Sequence, residues 1–354
     1  MVKHSQKYIL GFIAKLIHPN AKLDSYYFPA NHLFWDDLVK CGSSHFVLPS
    51  IYGAVKRKKI EKHLPNDLLL YLKEIYDLNK NQNKLILEQM SYLAKILNKN
   101  QIKYVFLKGA ALLVLRPYDS VRERMLGDID ILVKKNDLIK AKKILLNKGF
   151  KTFSQDNIDF GEDIKEIYKK HLPRLIHKDF IAAVELHEEI LEFKNVFEFS
   201  SKSIFDDMNF YKFYPLPSKN NLWKHAIFNW QYNDYGFKHN KFSLRSFLDV
   251  VSLEPKNFDN KLTLHPAISH FYSLCSVFID KYYNKNFWKS KVFICKLNYP
   301  KINSFIILIN KFEITMSLIF NRLILIKKSR IYRNRVFKNY KLVQNQIKYT
   351  AINL

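Results

Sequence analysis

The hydrophobic residues of this chain change their spacing twice, near residue 101 and near residue 193, and that double switch limits the folds it can adopt. Before residue 101 the apolar positions recur at three and four. After Asn66-Asp67 come Leu68, Leu69, Leu72 and Ile75, then Leu85, Ile86, Met90, Leu93, Ile96 and Leu97. That is the spacing of one buried helix face. From 101 to 192 the apolar runs are short and β-prone. Tyr104–Leu107 and Asp128–Val133 read as strands, as do Lys151–Phe153, Arg174–His177 and Ile181–His187. Lys108-Gly109 is a tight turn into a helix. Asn136 is placed to cap a helix through Lys148, with Gly149 as its C-terminal stop. Beyond 193 the helical spacing returns, clearest over Leu222–Tyr232 and Leu244–Leu253, and Tyr211–Ser218, with Pro215 and Pro217, reads as a hinge. The expected class is α+β. A small mixed-sheet core over 101–192 is flanked by an N-terminal helical region (1–100) and a C-terminal one (193–354).

With 354 residues, 48% of them hydrophobic, the chain can build two or three domains and is not disordered. It contains no Gly-x-Gly-x-x-Gly and no Gly-x-x-x-x-Gly-Lys-Ser/Thr, so the common dinucleotide and P-loop signatures are excluded. The net charge is +26. Such an excess suits a polyanion partner. The abundance of Lys, Asn, Ile, Tyr and Phe equally suits an AT-rich genome. More telling is the tail, where nine basic residues and no acidic one follow from Arg322 onward, a pattern able to contact nucleic-acid phosphates. Cys41, Cys275 and Cys295 lie far apart and form neither a zinc signature nor a disulfide framework, which fits the cytoplasm. Met1–Leu16 is amphipathic and lacks the features of a signal peptide. Phe305–Ile326 is apolar but broken by Asn310, Lys311, Glu313, Asn321 and Arg322. It is expected to be a buried helix rather than a transmembrane one.

Asp128 and Asp130 carry the chemical argument. Two residues apart on a strand, they leave the same face, while Ile129, Ile131 and Val133 take the other. An Asp-x-Asp pair alone is commonplace. Here two carboxylates open an apolar strand, where a divalent cation between them would offset their repulsion. Glu185 is the candidate third ligand, since it shares a face with Ala183 and His187 on the 181–187 strand. Lys108 and Gly109 sit where a helix N-terminus can meet phosphate. Arg124, four residues before Asp128, could grip phosphate with its fork. His187 is expected to orient Glu185. His225, Arg245 and Asp249, on two later helices, form a candidate polar network closing the cleft.

Three segments carry a family resemblance. They are Val105-Phe-Leu-Lys-Gly-Ala-Ala-Leu-Leu113, Arg124-Met-Leu-Gly-Asp-Ile-Asp-Ile-Leu-Val133 and Val184-Glu-Leu-His187. His45-Phe-Val-Leu-Pro49, His225, Leu244-Arg245 and Asp249 support them. Together they resemble the polymerase-β-like nucleotidyltransferase superfamily, and more narrowly its poorly characterised bacterial "nucleotidyltransferase family protein" group, over most of residues 30 to 255. The resemblance implies a mixed sheet and two Mg²⁺ ions held by Asp128, Asp130 and Glu185. It also implies an NTP substrate whose NMP moves to a hydroxyl acceptor. The acceptor is left open among RNA, protein and small molecules. In place of the superfamily's usual Gly-Ser turn, some ten residues before the aspartates, this chain has Lys108-Gly109, about twenty residues before them. The competing reading is a non-catalytic nucleic-acid-binding protein that uses the basic tail.

Overall fold

The structure, a computed structural model, describes residues 5–21, 28–29, 31–118, 120–153, 171–191, 199–255, 265–282 and 287–328, together with 330, 333, 334 and 337. Most of the basic tail lies outside the described residues. The chain divides into two compact units, one of residues 1–157 and 169–294, the other of 158–168 and 295–354.

The first unit is α+β. It opens with helices α1 (Gln6–Ile17), α2 (His32–Ser44), α3 (Leu48–Lys58) and α4 (Asn66–Lys99). The two apolar runs separated in the sequence merge into α4, one helix of 34 residues. Its buried stripe includes Leu68, Leu72, Ile86, Met90, Leu93 and Leu97, and between them the amides Asn79, Asn83 and Gln89. Then follow β1 (Tyr104–Phe106), α5 (Lys108–Leu115), β2 (Asp128–Val133), α6 (Leu138–Asn147), β3 (Lys151–Thr152), β4 (Leu175–Ile176) and β5 (Ala183–His187). These strands form one sheet in the order β1-β2-β5-β4-β3. The β2–β5 pairing is parallel and the other three are antiparallel. Ile129, Ile131, Val184 and Leu186 are fully buried on one face.

Two local expectations are corrected here. Asn136 does not cap the helix after β2. A 3-10 turn over Lys135–Asp137, closed by Asp137 N–H donating to the Lys134 carbonyl (2.8 Å), delays α6 until Leu138. Gly149 does stand just past the end of α6, at φ +89°, a conformation an L side chain resists. Tyr211–Ser218 is not a hinge. After α7 (Ser201–Asp206), β6 (Met208–Tyr211) and β7 (Tyr214–Pro217) form a hairpin, and all four residues of β7 are buried. The prolines fit because a two-stranded ribbon does not require every N–H as a donor.

The rest of the unit is helical: α8 (Lys219–Phe228), continued by a π-helical turn over Asn229–Asn233, then α9 (Gly236–His239), α10 (Leu244–Leu253), α11 (Pro266–Cys275) and α12 (Phe287–Asn298), the last four residues of which fall in the second unit. In the second unit, α13 spans Pro300–Lys328. The expected buried helix is not found there, since Phe305, Leu308, Phe312 and Phe320 are all more than 60% exposed. Apolar content records a preference for burial but does not supply the surface to bury against. No single helix among the described residues is long and apolar enough to cross a membrane.

Candidate functional site

The parallel register sets the site. Asp128 pairs with Ala183, Asp130 with Glu185 and Leu132 with His187 across β2 and β5. Asp128, Asp130, Glu185 and His187 therefore leave one face of two neighbouring strands. Glu185 stands opposite Asp130, on a strand that lies beside β2. The carboxylates line a cavity of about 310 Å³, walled opposite by α8 and α10.

The acidic groups are not equivalent. Asp130 is buried, and its Oδ1 accepts from Lys108 Nζ (2.5 Å) and from His187 Nε2 (2.7 Å). Burial raises the Asp130 carboxyl, but the Lys108 ammonium and the His187 hydrogen bond outweigh it and hold the group well below the ordinary carboxylate range. Glu185 is lowered too: burial and the Asp130 charge raise it, but the His187 contact, at 3.4 Å, and the charges of His171 and His187 together outweigh them. Asp128 goes the other way. Burial, then Asp130, then Glu185 push its carboxyl up. Oxygens of Asp130 and Glu185 and a His187 nitrogen lie within 4.8 Å of one another, a grouping able to hold a metal ion. Asp128 borders the same cavity but stands outside that group, where three carboxylates had been expected to converge.

His187 was expected to orient Glu185. It is fully buried and closer to Asp130, so it ties the two carboxylates together. Its Nδ1 has no hydrogen-bond partner among the described residues. With Nε2–H donating to Asp130, the ring acts as an orienting donor. His171 bridges to His187 with ring centroids 5.0 Å apart, and its charge helps lower Glu185.

Lys108 and Gly109 take unexpected roles at their turn. The left-handed residue is Lys108, at φ +45°, not the glycine. Strain of this kind clusters at functional sites. The turn is held against β2 by Leu107 N–H donating to the Asp130 carbonyl (2.9 Å), which brings the Lys108 side chain onto Asp130. Gly109 is buried, and a Cβ there would lie 3.0 Å from Leu126.

Arg124 corrects a further expectation. Its fork is closed on protein rather than open to phosphate. Nε and Nη2 donate to the two oxygens of Asp249 (2.7 and 2.9 Å), and Nη1 donates to the Met125 carbonyl (2.5 Å). The Tyr118 hydroxyl donates to the same Asp249 oxygen as Nε. All three side chains are buried. The network expected of His225, Arg245 and Asp249 is thus divided. Asp249 anchors the loop before β2 to α10. Arg245 lies with its guanidinium 5.2 Å from the Phe46 ring centre, and buried His225 lines the cavity on α8.

One supporting set escaped the sequence reading. Asn79 donates to the carbonyls of Arg122 (2.6 Å) and Arg124 (3.2 Å), and Asn83 to those of Val121 (2.5 Å) and Arg124 (2.8 Å). Gln82 donates to Leu126 (2.9 Å), and Gln89 both donates to and accepts from Ala182 at the start of β5. Amides interrupting the buried stripe of a long helix were the available signal, since a buried amide needs a partner. Glu123 is also buried. It pairs with Arg57 (2.6 Å) and lies so close to Gly53 that a Cβ there would meet it at 2.6 Å.

The chain matches no curated protein and no solved structure. Residues 31–261 match the sequence model of a family described as "uncharacterised nucleotidyltransferase". That span holds β1 through α10, with every residue of the cavity, and covers well over half of the chain. The chain belongs to this nucleotidyltransferase family, and is therefore a transferase of phosphorus-containing groups.

Proposed function

We propose that the protein moves an NMP from an NTP to a hydroxyl acceptor with Mg²⁺ as cofactor, and that Asp128, Asp130 and Glu185 hold two such ions. The pairing of Asp130 with Glu185, beside Asp128 on one strand face, carries this reading. The donor set fits the metal. Three carboxylates face a polar cavity, burial and mutual repulsion raise one of them, and a single ammonium, that of Lys108, stands against them. An excess of hard oxygen charge suits Mg²⁺ better than a softer ion. When bound, Mg²⁺ would make the acceptor hydroxyl more acidic and neutralise charge on the departing pyrophosphate.

The chain's own residues position and exclude. His187 fixes the rotamers of Asp130 and Glu185. Lys108 holds Asp130 ionised and keeps a cation at the mouth where phosphate enters. The Arg124–Asp249 clamp and the α4 amides hold the 121–127 loop, so that Asp128 starts its strand in place. Positioning and charge stabilisation are the main demands of phosphoryl transfer. This reading places the reaction in the cytoplasm, where NTPs are abundant. It leaves RNA, protein and small-molecule hydroxyls open as acceptors.

The test is incubation with each α-labelled NTP, Mg²⁺ and whole-cell extract. We expect one fraction to take label with wild-type protein and none with Asp128→Ala or Asp130→Asn. Equal labelling by wild type and by either variant overturns the proposal.

A further inference from the structure

The cavity is bordered by three strong cations, Lys108, Arg124 and Arg245. Two are neutralised within the protein. Lys108 pairs with Asp130, and Arg124 forks onto Asp249. Arg245 has no ion pair among the described residues, although Asp234 and Asp249 border the same cavity. Its guanidinium carbon lies over the Phe46 ring, 5.2 Å from the ring centre, and its N–H donors have no hydrogen-bond acceptor among the described residues.

The position of Arg245 is as informative as its lack of an ion pair. It lies in the first turn of α10, a ten-residue helix capped by the Ser243 side chain, which accepts from Ser246 N–H. The positive end of that helix adds to the guanidinium charge. Arg245 lines the same cavity as Asp128, Asp130 and Glu185, and Arg245 and Asp128 feel each other's charge. Burial and the neighbouring Arg124 disfavour its protonated form, and an anion seated between Arg245 and the carboxylate-bound ions would relieve that cost. A planar fork with open donors suits a phosphate oxygen pair.

We infer that Arg245 is the seat for the terminal phosphate of the NTP, the residue by which the site favours a triphosphate over a diphosphate. The inference rests on the proposed nucleotidyl transfer and adds to it a residue for triphosphate recognition. The sequence offered Arg124 for this task, but the structure gives that fork to Asp249.

The probe is inorganic tripolyphosphate with Mg²⁺, titrated by calorimetry into the full-length protein, with pyrophosphate in a parallel titration. This removes any dependence on which base the enzyme prefers. Wild type is expected to bind tripolyphosphate more tightly than pyrophosphate. Arg245→Met is expected to weaken tripolyphosphate at least tenfold while changing pyrophosphate little, so that the preference disappears. Arg245→Lys keeps a point charge without the fork and should fall between the two. It also serves as the folding control if the methionine variant is unstable. Unchanged tripolyphosphate affinity in a folded Arg245 variant, equal affinity of wild type for the two anions, or no binding to wild type overturns the inference. The outcomes stay separable from the parent reading. If Asp128→Ala abolishes label transfer while Arg245→Met retains the preference, only the role of Arg245 falls. Label transfer that survives Asp128→Ala removes the parent reading whatever Arg245 does.

Discussion

Two acid–base pairs border one cavity, and they are built differently. Arg124 and Asp249 satisfy each other. The fork meets both carboxylate oxygens, a backbone carbonyl takes a further donor, and Tyr118 adds its hydroxyl. Lys108 and Asp130 leave the balance open. One ammonium sits on one of three neighbouring carboxylates, and burial, with the charges of Asp130 and Glu185, still pushes the Asp128 carboxyl up. A closed pair is suited to holding backbone in place. An open one is suited to exchanging partners with substrate and metal. The comparison implies that changes at the first pair register in stability, and changes at the second register in turnover.

The largest expected effect is on turnover at the open pair. Asp130→Asn should lower NMP transfer on the order of a thousandfold or more, as for loss of a group that stabilises transition-state charge. Its melting temperature should stay close to wild type. Label-transfer rates and a thermal scan together check this, and a collapse in stability as large as the loss of activity would blur the proposed division.

The closed pair should respond in the opposite sense. Asp249→Ala leaves a buried guanidinium without its carboxylate, and costs about 3–5 kcal/mol of folding stability. Urea unfolding should show a markedly lower midpoint, and the double change Arg124→Met with Asp249→Leu should recover part of it. Equal midpoints for wild type and Asp249→Ala would mean that the clamp carries no stability.

A smaller effect is expected from the α4 amides that support the clamp. Asn83→Ala removes donors from two loop carbonyls and should cost about 1–2 kcal/mol. Hydrogen exchange should speed up over residues 120–127 more than over α4 itself. Uniform acceleration would instead indicate general destabilisation.

The smallest is a pH effect remote from both pairs. His270 is fully buried, and burial, then Lys289, lower it to about 4. Gln231 donates to its Nδ1 (3.0 Å), and Asn240 Oδ1 accepts from its Nε2–H (2.8 Å), an arrangement that fits only the neutral ring. A lowered folded pKa means that the unfolded chain takes the proton first. Stability is therefore flat above pH 6.5 and falls as pH drops from there towards 4. The His270 share between pH 7.5 and 5.5 is about 1 kcal/mol. His18 and His45, each also lowered to about 4, act in the same direction. Urea midpoints across this range should decline more gently in His270→Gln.

What was legible in the sequence depended on range. The period-two alternation of Asp128–Val133 and Ala183–His187 is local, so the common face of Asp128 and Asp130, and that of Glu185 and His187, could be read directly, while their meeting depended on β2 lying beside β5. The turn at Lys108-Gly109 was legible as a turn, though it was the lysine that took positive φ. Partner choice was not legible. The carboxylate that claims the Arg124 fork lies 125 residues away, and nothing in the local pattern distinguishes Asp249 from phosphate as the occupant. The α4 amides were hidden for the same reason, since their partners are loop carbonyls positioned only by the fold. Pro215 and Pro217 suggested a hinge because their effect on a strand depends on whether it has one neighbour or two.

The central claim is that the β2–β5 face binds divalent metal together with a nucleotide. Mn²⁺ in place of Mg²⁺ can be counted directly by electron paramagnetic resonance, in the presence of a non-hydrolysable NTP analogue. The account predicts about two Mn²⁺ per chain for wild type, as in other two-metal sites, and fewer for Glu185→Gln in a folded protein. Equal counts for the two proteins, or no bound Mn²⁺ in wild type, would contradict it.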